Sequence, residues 1–273
     1  MEKIRLCFSE LYNAGDLLNV DLVEMLSKKK VVRSKIYNAD MIAIGGALFG
    51  LQFSGGARGL LQKGLGCVYG NKPLYVWGSG FLYENNERPL YRGNLFVCAL
   101  RGEKTREKLS GLTHEDYRAV PLADAGLLVD MLLQGPQEKR YGIGVIPHFS
   151  QQGENVFSDI CPDSDYHLID IRNTPRRVAE EIAACELIVS SSLHGLVFAD
   201  SLHVPSLRMI GETPLPGGTF KFEDYYSAYG VKDDPWVDTK RLPTAKDILA
   251  RRCVDFSAVE EKKKALLKCF PQW

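Results

Sequence analysis

Short apolar runs alternate with stretches whose apolar residues recur at helical spacing along the whole chain. Ile4–Phe8, Met41–Ile44, Leu74–Trp77, Leu95–Leu100, Tyr141–Ile146, His167–Ile171, Leu187–Val189 and Ser206–Ile210 have the length and content of buried strands. Ala119–Leu122 reads as a further extended segment. The helical segments run through Leu17, Val20, Leu22, Val23 and Leu26, and through Ala57–Gly64, Glu103–Leu109 and Leu127–Leu133. They continue in Pro175–Ala184 with proline in its first turn, in the run from Gly195, and in two pieces of Thr244–Phe270 separated near Cys253. Strand and helix alternate without hairpin-type turns, which predicts parallel sheets covered on both faces. Gly135-Pro136-Gln137-Glu138-Lys139 is a polar connector after which the pattern restarts. The expected architecture is α/β, two Rossmann-like domains spanning 1–134 and 135–273 and facing across a cleft.

Right-handed crossovers place the carboxyl ends of parallel strands on one rim, where open α/β sheets bind ligands. The chemically unusual residues follow the predicted strands: Asn13-Ala14-Gly15-Asp16, Gly45-Gly46, Gly78-Ser79-Gly80, Arg101-Gly102, Pro147-His148 and Ser190–Gly195. In the last of these a strand breaks into three serines and then a helix. A helix start exposes unpaired N–H groups carrying roughly half a positive charge, a natural anion site. The plainer reading is a serine-capped helix with a histidine packed beneath it. Arg101 at a strand end either grips a carboxylate or phosphate or pairs with a local acid such as Glu103. His148 and His194 are expected to end strands in different halves and to face one another across the cleft, as proton donors. A helix N-terminus lowers the pKa of His194, and a bound phosphate raises it again. His114, His167 and His203 read as surface or packing residues. Gly217–Tyr226 reads as a mobile loop that brings Lys221 to the anion site and offers aromatic faces of the kind sugars pack on, or as a surface segment whose rings fill the core.

The 273 residues are 45% hydrophobic and 25% charged, an ordinary globular balance. Lys plus Arg and Asp plus Glu both number 34, so no global field recruits nucleic acid or membrane. The start is too short and charged for a signal peptide, and no run approaches the ~20 apolar residues of a membrane span. Seven scattered cysteines without a CxxC pair read as buried hydrophobes in a reducing compartment, with no zinc site expected.

Asn13-Ala14-Gly15-Asp16, Ile44-Gly45-Gly46, Val76–Gly80, Ala99–Thr105, Ile146-Pro147-His148 and Ser190–Gly195 together resemble the polysaccharide pyruvyltransferases. Phe220-Lys221-Phe222 with Asp224-Tyr225 is similar to the branch acting on bacterial exopolysaccharide and capsule. The resemblance implies a glycosyltransferase-B-like pair of domains and transfer of the pyruvyl group of phosphoenolpyruvate onto two sugar hydroxyls as a cyclic ketal, with no metal or cofactor. It implies His194 as the general acid, with His148 beside donor or acceptor. It implies a donor site of Arg101, Ser190, Ser191, Ser192, Leu193, Gly195 and Lys221. Asn13, Asp16, Gly46 and Ser79 fall on the acceptor side. The implied partners are phosphoenolpyruvate and a glycan or lipid-linked oligosaccharide, in the cytoplasm or at the inner face of the membrane. The basic tail Glu260–Phe270 either packs on the fold or touches an anionic membrane. Many family members carry Arg where Ser192 stands, and Lys221 is expected to replace that charge. Ala47 and Ala123 stand where glycines are usual. The competing readings are a nucleotide-sugar glycosyltransferase of the same architecture and a non-catalytic binding subunit.

Overall fold

The computed structural model describes residues 3–9, 13–154, 157, 165–238 and 242–273. Cys161 lies outside them. β1 (Lys3–Cys7), β2 (Lys30–Arg33), β3 (Met41–Ile42), β4 (Leu74–Ser79) and β5 (Leu95–Leu100) form one sheet in the order β2-β1-β3-β4-β5. β6 (Tyr141–Ile146), β7 (Tyr166–Leu168), β8 (Cys185–Ser190), β9 (Ser206–Ile210) and β10 (Trp236–Asp238) form a second, ordered β10-β9-β8-β6-β7. Every pairing is parallel. Numbered within its own sheet, each has the order 2-1-3-4-5, so one topology occurs twice without a repeat in the sequence. Such a sheet has its switch point between its first and third strands, where departing crossovers open a crevice at the carboxyl ends. Here those points are β1/β3 and β6/β8.

The predicted strands are present except Ala119–Leu122, which makes only an isolated bridge from Leu122 to Leu100. The pattern misses β2 and β10 because both are edge strands with solvent-facing residues, and neither forms an apolar run. α1 (Ala14–Ser27) is capped by Asn13, whose side chain accepts from the Gly15 amide at 2.9 Å. Its buried face is Ala14, Leu18, Leu22 and Val23, with Leu17, Val20 and Leu26 on its flanks. α2 (Gly56–Tyr69), α3 (Glu103–Thr113) and α4 (Pro175–Ala183) follow. Between α3 and α4, Ala125–Leu132 is a 3-10 helix capped by Asp124. α5 (Leu193–Ser201) is buried along its whole length. α6 (Phe220–Ser227) replaces the expected mobile loop. Gly217 and Gly218, both at positive φ, form the turn before it, so the glycines end at the first helical residue. α7 (Ala245–Arg251) and α8 (Phe256–Lys268) complete the chain, with the break near Cys253 where the periodicity placed it.

One apolar cluster joins the sheets, with Ile4, Leu6, Leu18 and Leu22 continuous with Ile146, Ile188, Leu196 and Phe198. α8 contributes Val259 and Leu266 to it and returns to the first sheet. There the Trp77 indole N–H donates to the Leu266 carbonyl at 3.0 Å, and its ring meets Phe270 edge-on. The tail lysines serve this packing: Lys262 donates to the Leu122 carbonyl, and buried Lys263 pairs with Asp130 and Glu260. Among the described residues no helix is long and apolar enough to cross a membrane.

Trp77 is fully buried, so Trp77→Ala should lower unfolding free energy by about 3–5 kcal/mol, read from urea denaturation midpoints. Trp77→Phe, which keeps most of the ring and loses the N–H bond, should cost clearly less.

Candidate active site

The two switch points meet at a cavity of about 400 Å³. The first sheet supplies Cys7 and Phe8 after β1, Asn13 and Asp16 at the start of α1, Ile44, Gly45 and Gly46 after β3, and Arg101 after β5. The second supplies His148 and Phe149 after β6, Ser192, Leu193 and His194 at the start of α5, and Lys221 from α6. Ile36, Phe49 and Leu82 extend the wall on the apolar side.

His194 is the second residue of α5, and its imidazole lies against the α-carbon of Gly15. A Cβ on Gly15 would overlap the ring, so only glycine leaves room for the histidine there. The ring and the Asp16 carboxylate both flank Gly45. Burial pushes the His194 pKa down to about 3, helped by the charges of Lys221, Arg101 and His148. Burial, and then Lys221, hold His148 at about 4. Lys221 itself is pushed down to about 8, first by burial and then by Arg101 and Arg208, against the pull of Asp16. Asp16 is pushed up to about 7 by burial, with Lys221 opposing. The site thus holds two neutral imidazoles and a carboxyl that titrates near neutrality, facing two cations.

Arg101 is fixed by an ion pair that reaches across the chain. Its Nε donates to the Asp224 carboxylate at 2.7 Å and its Nη2 to the Phe81 carbonyl at 2.6 Å. No hydrogen bond holds Nη1 among the described residues. Gly80 lies flat beneath the guanidinium, whose Cζ would sit 2.5 Å from a Cβ there. Asp224 also accepts from the Thr105 amide and hydroxyl, each at 2.7 Å. The Ser227 hydroxyl accepts from the Glu103 amide at 2.8 Å. α3 opens on Gly102, which has no side chain to cap it, so α6 caps α3 from outside. Gly102 is required because a Cβ would overlap the Asp224 backbone carbonyl. The local acid expected for Arg101, Glu103, instead pairs with Arg106.

Of the sequence-selected residues, Asn13, Asp16, Gly46, Arg101, His148, Ser192, Leu193, His194 and Lys221 line this one cavity. The others stand behind its wall. The Ser190 hydroxyl donates to the Ile146 carbonyl and accepts from the Ser192 amide, bracing the turn into α5. The Ser191 hydroxyl accepts from the His148 amide at 2.8 Å. Gly195 makes room for the Ser190 side chain, and the Ser79 hydroxyl donates to the Gly45 carbonyl. The side chains of these serines are taken up in bracing the turns that carry the cavity residues. The two histidines do not face each other from different halves. They leave β6 and β8, adjacent strands of one sheet, because Ile146 and Ser190 are paired in register. The rings of Phe220, Phe222, Tyr225 and Tyr226 are buried and offer no face to a sugar. The aromatic wall comes instead from Phe8, Phe49 and Phe149, which sequence reasoning missed; Phe8 immediately follows a strand, the one signal that pointed to it. Among the described residues no cluster of three His, Cys, Asp or Glu side chains is arranged to hold a metal.

The profile of the family described as polysaccharide pyruvyl transferase matches residues 9–212. An uncharacterized protein, L143, of Acanthamoeba polyphaga mimivirus is 30% identical over 173 residues, 61% of this chain and 58% of that protein. The succinoglycan biosynthesis protein ExoV of Rhizobium meliloti is 29% identical over 172 residues, 62% of this chain and 51% of its own length. The matches therefore span little more than half of these curated relatives. A solved structure of a functionally uncharacterized Klebsiella pneumoniae protein, KP1_0663, aligns over 86% of this chain and 92% of that one, at 14% identity and a TM-score of 0.48.

Two measurements test this geometry. Asp224→Ala leaves a buried guanidinium and the α3 N-terminus unpaired, and should cost about 3–5 kcal/mol of unfolding free energy. Asp16 holds its proton more tightly folded than unfolded, so its contribution to stability falls as pH rises from the ordinary carboxyl range through about 7. Asp16→Asn removes that ionisation cost: it should stabilise the chain at pH 8 by about 1–3 kcal/mol and change little at pH 4.5.

Proposed function

The chain belongs to the polysaccharide pyruvyl transferase family, and we propose that it transfers the pyruvyl group of phosphoenolpyruvate onto two hydroxyls of a glycan sugar as a cyclic ketal, in exopolysaccharide or capsule biosynthesis. The observation that carries this reading is one cavity in which His194 at a helix start, Arg101, Lys221 and Asp16 converge. Its cationic end suits a small, highly charged donor. Its wall of Phe8, Ile36, Phe49, Leu82 and Phe149 suits the less polar face of a sugar. The rhizobial relative is named for succinoglycan biosynthesis, which agrees with a glycan acceptor. Two parallel sheets with facing switch points also agree with a glycosyltransferase-B-like arrangement.

In this reading the donor's phosphate and carboxylate lie between Lys221, the Arg101 Nη1 edge and the start of α5. Their negative charge offsets the two cations that add to burial in holding His194 neutral, so the imidazole gains a proton as the donor binds. His194 then gives that proton to the donor's methylene carbon, which becomes the methyl group. The cationic carbon left behind forms a C–O bond with the first sugar hydroxyl, whose proton passes to Asp16. Cleavage of the bond from that carbon to the phosphate oxygen follows. The second hydroxyl adds at the same carbon and closes the ring, its proton leaving with phosphate. Lys221 supplies the charge carried elsewhere by the arginine that Ser192 replaces.

Incubation with phosphoenolpyruvate and a galactoside-containing acceptor should release phosphate and increase the acceptor mass by one pyruvyl ketal. Protection from heat by UDP-sugar and not by phosphoenolpyruvate would favour glycosyl transfer instead. His194→Ala should lower turnover by about 10²–10⁴-fold. Lys221→Ala should weaken phosphoenolpyruvate binding, read by calorimetry. In the unaltered chain that affinity should fall as pH rises through about 8, where Lys221 loses its charge.

A further inference from the structure

Among the buried polar atoms that have no hydrogen-bond partner within the described residues are His194 Nε2 and Asp124 Oδ2. Such atoms are costly to bury and are rarely left unpaired by accident. The side chains that carry them abut the same backbone. From the position a Cβ would take on Gly126, the Asp124 Oδ1 atom lies 3.0 Å away and the His194 Cδ2 edge 3.7 Å. Gly126 has no side chain to stand there. Asp124 is held in place through its other oxygen, which accepts from the Gly126 amide at 2.8 Å and caps the 3-10 helix Ala125–Leu132. One carboxylate oxygen is therefore structural, and the other has no partner among the described residues.

We infer that Asp124 is the positioning residue of His194, accepting the Nε2 proton so that Nδ1 faces the donor and the imidazolium has a counter-charge once it forms. This rests on the proposed function only for the word donor; the pairing is inferred from two partnerless buried atoms on side chains that both approach Gly126. It also answers an electrostatic difficulty. Around the ring stand the cations Lys221 and Arg101 and the imidazole of His148, all of which oppose its protonation, and Asp16 across Gly45. Asp124 is itself influenced by Arg101 and Asp224. Burial pushes it up to about 6, which leaves it a carboxylate at neutral pH. A buried imidazolium needs such a partner, and Asp124 stands where it can act without occupying the cavity.

Asp124→Asn is the informative variant, because an amide oxygen preserves the cap to Gly126 while the charge is lost. Circular dichroism melting checks that the fold is retained. Nitrogen-15 NMR of the full chain with labelled histidine then reads the His194 tautomer at pH 7 and its titration in saturating phosphoenolpyruvate, with inorganic phosphate as a second probe. In the unaltered chain the proton should reside on Nε2 and the pKa should rise on loading. In Asp124→Asn the Nε2–H population should drop and the loaded-state pKa should be at least one unit lower. Turnover should fall by about 10–100-fold while KM for phosphoenolpyruvate changes less than twofold. An unchanged tautomer and an unchanged titration in the variant would overturn the inference. Failure of the unaltered chain to turn over phosphoenolpyruvate would strike the proposed function and leave the tautomer measurement standing as its own test.

Discussion

The Arg101–Asp224 ion pair is the interaction on which the rest of the site depends. A guanidinium buried at a strand end has to find a carboxylate, because an unpaired charge there would cost several kcal/mol. The carboxylate comes from α6, more than a hundred residues further along, and the same carboxylate caps α3. One contact therefore fixes a cation at the cavity, completes a helix N-terminus that lacks its own cap, and seats the helix that carries Lys221. The two cavity cations are held in register because α6, which carries Lys221, is tied to Arg101 and α3 through Asp224.

Burial sets the charge states of the cavity. It holds both histidines neutral, keeps Asp16 near the point of ionisation and loosens the hold of Lys221 on its proton. Each of these groups lies far from its ordinary state in water, and each is poised to change when a negative ligand enters. In the proposed function an anionic donor offsets the repulsion from Lys221 and Arg101, which follows burial as a cause of the lowered His194 pKa. Close packing makes this possible: Gly15, Gly80 and Gly102 sit where side chains would displace the imidazole, the guanidinium or the docked helix.

The doubled 2-1-3-4-5 topology explains why residues from six separate loops meet. Each sheet opens a crevice at its own switch point, and a continuous apolar core holds the two crevices against each other. His148 and His194 emerge from adjacent strands because they share one switch point. Their neighbourhood thus follows from strand order and not from the cleft alone.

Most strands and helices were legible in the sequence because a buried strand must be apolar and a buried helix face must recur at its own period. The edge strands β2 and β10 escaped because they bury too little to leave such a pattern. The residues at the carboxyl ends of strands, including Arg101, His148, His194 and Asp16, were legible as unusual side chains at predicted rims. Lys221 stood out by composition, although its helix was mistaken for a loop. What the sequence could not state was direction. Ser190, Ser191 and Ser79 lie in the same motifs as the cavity residues but turn their side chains into the wall, and only the fold decides that. The partnership of Arg101 with Asp224, and the approach of Asp124 and His194 to the same glycine, Gly126, likewise arise from packing between distant segments. Local pattern determined the elements and the rim; long-range burial, which forces every charge to find a partner, decided the site.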